Sequence, residues 1–292
     1  MNKMKIIALT CVGVGVLLTF VAMLVAGFDF SRFRLGAPKE EKTLTRVGAD
    51  IHSIVIDDAL NGIRVIPSPD GEIHLSYFEN NLETYEVKEV DGTLRLQAHS
   101  RWYLKWGINS LFREYTEVTL SVPTDYVGDL SLWTTNGSIQ ISDIRIDGGM
   151  DMSTTNGGFE FSRVSVSGSW KATTRNGGII GTDLQGENIS LITTNGEIRI
   201  DHTSAMQNLY LSTTNGAVKI ERVYAPSVAL YSTNGSITGT IVGQSEEFVI
   251  SAHTVNGSSR VPAGSANGAK SLDARTTNGD IYIEFVTMSS AG

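Results

Sequence analysis

The chain has one cysteine in 292 residues, and that one, Cys11, lies in an apolar stretch. A disulfide framework and a cysteine-based metal site are therefore both excluded. Histidine is also sparse: His52, His74, His99, His202 and His253 show no metal-ligand spacing. No Gly-rich phosphate loop, nucleophile elbow or zinc-helix motif is present, so no cofactor, no metal and no catalytic residue is expected. Basic runs are missing as well. With 23 basic against 31 acidic side chains, the net charge is −8 and nothing tracks a phosphate backbone, which argues against a nucleic-acid partner. Proline is low at 6 and helical spacing is scarce beyond the N-terminus, whereas glycine reaches 30. That balance suits many short strands joined by tight turns.

The first thing present is a run without charge. Residues 6–28 hold 23 consecutive uncharged residues after Lys3 and Lys5, and about 20 apolar residues suffice to cross a bilayer. A cleavable signal peptide normally has an apolar region of only about 7 to 15 residues, so an uncleaved membrane anchor is the expectation. Orientation depends on Lys3 and Lys5 against Arg32, Arg34, Lys39 and Lys42; a cytoplasmic N-terminus is expected, with residues 1–5 as its tail. Residues 29–50 carry mixed charge with little periodicity and read as a stalk.

The second is a repeat. Asn-Gly recurs at Asn136-Gly137, Asn156-Gly157, Asn176-Gly177, Asn195-Gly196, Asn215-Gly216, Asn234-Gly235, Asn256-Gly257 and Asn278-Gly279, at intervals of 20, 20, 19, 20, 19, 22 and 22 residues. Six and four residues before each asparagine stand apolar residues, from Leu130 and Leu132 to Leu272 and Ala274. Three and five after it, the positions are again apolar except at Ser259, Gly181 and Gly239. Two residues before it is always a hydroxyl, from Thr134 to Thr276, with Ser232 the one serine. Alternation on both sides of a fixed turn describes two short strands per rung with alternate side chains inward. A period near 20 is too short for a βαβ unit of about 30 residues, so rungs stack on one another in parallel. The expected fold is all-β: a parallel β-solenoid of about eight rungs, roughly 38 Å long at ~4.8 Å per rung, behind one transmembrane helix. Residues 51–127 form a β-rich leading and capping region, 128–286 the Asn-Gly solenoid and 287–292 a tail. The turns are read as structural, with the glycines at positive φ and the asparagines in amide ladders.

These Thr-Thr-Asn-Gly rungs, clearest at residues 134–137, 154–157, 193–196, 213–216 and 276–279, resemble those of the bacterial putative-adhesin family. Asn61-Gly62-Ile63, Asp91-Gly92-Thr93-Leu94 and a Val118 to Val122 strand ending at Pro123 extend the resemblance to residues 51–286. It implies a β-solenoid and an envelope location, and supplies no catalytic residues.

Two clusters stand out from the repeat. Residues 101–115 hold Trp102, Tyr103, Trp106 and Phe112 among Arg101, Lys105 and Arg113; they are expected to cap the first rung, or to form an interaction patch. If outward positions stack in columns, Asp201 lies beside Glu221 and Arg199 beside Lys219. Paired carboxylates can perform glycoside chemistry, but a solvated salt network is the expectation. The function expected is non-enzymatic: a single-pass protein of the cell membrane whose solenoid faces out of the cytoplasm, for surface interaction, adhesion or scaffolding with a protein or glycan partner. A cytoplasm-facing, self-associating scaffold or regulator and a carbohydrate-active enzyme are the alternatives.

Overall fold

In the computed structural model, which describes residues 3–25, 27, 37–100 and 116–287, the apolar residues flanking each Asn-Gly pair become the inner faces of stacked parallel strands. The column ahead of the turns runs Leu130, Met150, Trp170, Ile189, Leu209 and Val228, each paired in register with the next. The column after the turns runs Ile139, Phe159, Ile179, Ile198, Val218 and Ile237. All twelve side chains are at most 2 % exposed, so one apolar core runs the length of the stack. At about 25 cal/mol per Å² of buried apolar surface, this continuous core is the main stabilising term.

Two hydrogen-bond systems fix the turns. The asparagine amides form a ladder in which Asn156 Nδ2 donates to Asn136 Oδ1 at 2.8 Å and Asn176 to Asn156 at 2.8 Å, continuing through Asn195, Asn215 and Asn234. The hydroxyl two residues ahead donates to the glycine carbonyl one rung back: Thr154 to Gly137 O, Thr174 to Gly157 O, Thr193 to Gly177 O. These hydroxyls are buried, which is why the position is Thr or Ser throughout.

The glycines meet a different constraint from the one expected. None of the Asn-Gly glycines lies at positive φ. A Cβ on Gly157 would instead sit 1.9 Å from Gly137 O, and one on Gly216 1.9 Å from Gly196 O. Backbone rests on backbone, and glycine is required by the lack of room. Positive φ belongs to another column, Asp143, Arg163, Asp183, His202 and Arg222, at 47–60°. The first four turn the chain through a corner into a further segment, residues 144–147, 164–166, 184–186 and 203–205, whose partners stack in turn. Rungs there have three sides where two strands were expected.

Chain order and spatial order also part company at both ends. The strand Ser227–Tyr231 pairs with Lys270–Thr276, which then pairs with Phe248–Thr254, so the Asn278 rung lies between the Asn234 and Asn256 rungs. At the other end, Ser53–Asp57 and Gly62–Pro67 pair with Asp129–Trp133 and Ile139–Asp147 on one side. On the other side they pair with Thr93–Ser100 and Glu117–Val122. Asn61-Gly62 thus supplies a turn of the same stack, and residues 51–127 are continuous with the rungs that follow.

The leading end is closed by antiparallel strands: Glu40–Arg46 on Ile73–Glu79, Ile73–Glu79 on Glu117–Val122, and Glu83–Val90 on Thr93–Ser100. The stalk expected over residues 29–50 is therefore partly folded, because Leu44 packs on the core and Lys39 Nζ lies 2.5 Å from Glu83 Oε2 with both side chains buried. The N-terminal helix is Lys3–Val25, and its apolar stretch Lys5–Val25 is long enough to cross a membrane.

Gly216→Ala is expected to cost about 2–3 kcal/mol by overpacking, read as a lowered midpoint in thermal or denaturant melting. Thr193→Val keeps the volume but leaves the part-buried Gly177 O without its donor, and is expected to cost about 1 kcal/mol in the same measurement.

Candidate ligand-binding cleft

The corner column ends at Arg222, and the surface opens where it ends. Between Ile220 and Val223 stand Glu221 and Arg222, whereas only Thr240 stands between their partners Gly239 and Ile241. The strand Ile237–Val242 therefore runs straight past the position where earlier rungs bend, and Ile281–Val286 follows it in register. Gly239 sits at φ 140° at this step, where a Cβ would meet Ile220 O. Bent rungs on one side and straight rungs on the other leave a cleft of about 930 Å³. Its walls include His202, Arg222 and Tyr224 on the bent side and Thr240, Val242 and Val286 on the straight side. Arg222 N donates to Thr240 Oγ1 at 2.8 Å, tying the two walls together.

A neighbouring depression of about 350 Å³ contains Arg199, Asp201, Lys219 and Glu221. Strand pairing sets Arg199 beside Lys219 and Asp201 beside Glu221. The groups are laced by charge: Glu197 takes Arg199 and Lys219, each at 2.7 Å, and Arg222 Nη2 stands 3.7 Å from Asp201 and 3.6 Å from Glu221. Asp201 Oδ1 is shielded from solvent and lies 2.9 Å from His202 Nδ1 without hydrogen-bond alignment. Burial tends to raise the Glu197 carboxyl, but hydrogen bonds from Lys219 and Arg199 outweigh it and hold the group below the ordinary glutamate range. Glycoside hydrolysis would need one carboxyl kept protonated in an apolar pocket. Glu221 is 65 % exposed and shares an arginine with Asp201, the arrangement of a solvated salt network.

The other residues singled out by sequence fall elsewhere. The asparagines and glycines of the turns form their own edge of the stack, where amide and hydroxyl ladders saturate one another. The aromatic cluster Trp102, Tyr103, Trp106 and Phe112 lies outside the described residues. Among the described residues, no three His, Cys, Asp or Glu side chains come together as a metal site. A buried polar group that the repeat pattern did not announce lies under the leading end. Asp58 accepts the main-chain N–H groups of Leu60 and Asn61 at 2.6 and 2.8 Å, and the Tyr85 hydroxyl donates to its other oxygen. Burial and that carboxylate push the Tyr85 phenol far up. Asn61 is turned inward on this cluster, so the amide ladder starts with Asn136, which donates to Ala59 O.

A family model described as Toastrack DUF4097 matches residues 51–290. The chain belongs to the Toastrack DUF4097 family. The match begins at the rung turned by Asn61-Gly62 and takes in both transposed ends, so the Toastrack unit is the whole stack. No curated protein matches the chain. Among solved structures, a putative adhesin from Bacteroides fragilis is similar at 16 % identity with a TM-score of 0.42, over 69 % of this chain and 96 % of that one. A putative lipid binding protein from Parabacteroides distasonis is similar at 15 % identity and 0.41, over 86 % and 99 %. A putative cell adhesion protein from Clostridium sporogenes is similar at 12 % and 0.31, over 85 % and 100 %.

Removing one of its two cations should release Glu197. In Lys219→Met, carboxyl-resolved NMR titration is expected to show Glu197 titrating higher than in the wild type. Because the folded-state value is depressed, the stabilisation is fully present above the unfolded value, about 4.3, and is lost as pH falls through the lower folded one. An unchanged titration would mean that Arg199 alone sets it.

Proposed function

We propose that this Toastrack protein is a non-enzymatic, membrane-anchored rod of the bacterial cell envelope, presenting its solenoid outside the cytoplasm for surface interaction. The observation that carries the reading is the helix Lys3–Val25, whose 21-residue apolar stretch is buried against none of the described protein. A soluble domain does not keep so large an apolar surface in water, and a bilayer satisfies it. The cleft at the end of the corner column is the ligand site in this reading. Its size is that of small-molecule and glycan sites, with apolar walls from Val242 and Val286 and polar groups from His202, Arg222 and Thr240. The turn asparagines and glycines hold the scaffold, and Trp102, Tyr103, Trp106 and Phe112 are a second interaction patch.

The charges around the helix favour a second reading. Arg32, Arg34, Lys39 and Lys42 follow it and outnumber Lys3 and Lys5, which under the positive-inside rule would put the solenoid in the cytoplasm as a scaffold or regulator. One measurement separates the two. In a Cys11→Ser, Met206→Cys variant the single thiol sits at a position 74 % exposed on the rod. Modification by a membrane-impermeant maleimide in intact cells with a permeable outer layer is the expected result. Modification only after lysis would overturn the envelope reading in favour of the cytoplasmic one.

A further inference from the structure

Each Asn-Gly rung offers the next one the same three acceptors. On the Asn234 rung, Thr233 O takes Asn278 N–H at 2.8 Å, Gly235 O takes the Thr276 hydroxyl at 2.8 Å and Asn234 Oδ1 takes Asn278 Nδ2 at 2.7 Å. On the Asn278 rung, Thr277 O, Gly279 O and Asn278 Oδ1 take the main chain of Asn256, the hydroxyl of Thr254 and the amide of Asn256. The Asn256 rung is the last in space. Its equivalents are Val255 O, Gly257 O and Asn256 Oδ1, and among the described residues no strand stacks on them.

The core is open at the same place. Ile250 and Ala252 are only partly buried, whereas Leu272 and Ala274 beside them are 1 % and 0 % exposed. The loop that follows covers the start of this edge: Ser265 N–H bonds Phe248 O at 2.9 Å and Gly264 lies against Ile250, which leaves Ala252 and the turn beyond it uncovered. Free sheet edges are ordinarily guarded by charge, proline or a covering element. The stretch from Phe248 to Ser258 contains neither proline nor a charged side chain, and such guards, Arg260 and Pro262, come only at the far end of the rung; the opposite end of the stack is closed by antiparallel strands.

We propose that the Asn256 rung is a strand-accepting edge, whose occupant is an extended segment of a partner polypeptide laid parallel to the chain from Ala252 through the Asn256-Gly257 turn. Hydrogen-bond polarity specifies the partner. The three acceptors need a main-chain N–H, a hydroxyl and a side-chain amide in the spacing that the inner rungs use, hence Thr or Ser, any residue, then Asn or Gln. An apolar residue ahead of them completes the cover over Ala252. Glycine fits after the amide, because each inner turn leaves no room for a Cβ against the preceding carbonyl. A second folded copy is a poor occupant: its own Asn256 turn offers outward the same carbonyl and amide oxygens and no hydroxyl or amide donor to meet them, and the leading end is already covered. Strand addition of this kind draws affinity from main-chain bonds and specificity from the alternate side chains. The site is independent of the lateral cleft and of which side of the membrane the rod occupies.

The test uses the full chain in detergent and a fluorescent synthetic peptide with the sequence of residues 207–221, the turn of one rung with the strands on either side of it. Saturable binding by anisotropy is expected, at least tenfold weaker for the peptide carrying Thr213→Val and Asn215→Leu. It should also be at least tenfold weaker for the Ala252→Pro protein, which lacks an edge N–H at a position where proline is tolerated. Thermal melting checks that variant; if it does not fold, the two peptides on the wild-type protein decide. Equal binding of both peptides, or no binding of either, overturns the proposal. A concentration-dependent dimer in sedimentation that Ala252→Pro abolishes would give the edge to a second copy and overturn it too.

Discussion

The carbonyl of each turn glycine is the contact on which the architecture depends. It receives the buried hydroxyl of the following rung and has a glycine of that rung pressed against it with no space for a methyl group. A turn that must be both bonded and backbone-close can be repeated only by the same residues in the same places. That explains why Thr or Ser and Gly hold their positions in every rung, while Arg175 and Val255, which point away, replace threonine freely. The amide ladder adds direction to the stack: every asparagine donates to the preceding rung in space, so the rod has a donor end and an acceptor end.

Variation is confined to where this constraint is absent. The corners lie about a third of a rung beyond the turns, seven residues on at Asp143, and use side chains at positive φ that cost about 1–2 kcal/mol per residue in an L-amino acid; Asp143 and Arg163 pair along this column at 2.5 Å. Where the corner is omitted, at Thr240, the strand saves a residue and the two kinds of rung separate. The cleft is a consequence of that one-residue difference.

Much of this was legible in the chain. The period, the inward columns and the hydroxyl position follow from spacing alone, because a stacked rung places each sequence position in one environment. Three things were not. Corners carry no shared residue type, being Asp, Arg, Asp, His and Arg, so nothing marks them as glycine would. The order of rungs is invisible because interchangeable rungs satisfy one another equally well; the Asn278 rung fits on Asn234 as well as Asn256 would. Asn61-Gly62 was visible as a motif, but 75 residues separate it from the next Asn-Gly at Asn136, and spacing could not show that it belongs to the same stack. The Asp201 and Glu221 column was legible as a pair, because strand register sets them side by side; the arginine they share comes from the corner position Arg222, which spacing did not mark.

The transposed ends bear on how such an array can change its length. Each terminal rung is clasped by a segment remote from its chain neighbour: Lys270–Thr276 is wedged inside Phe248–Thr254, and Ser53–Asp57 inside Thr93–Ser100. Adding or deleting a unit at either terminus would leave an unmatched neighbour. Between Asn136 and Asn234, chain order and stacking order coincide, so a duplicated 20-residue unit there would find matching surfaces above and below. The middle of the rod is thus the place where its length can change without disturbing either end.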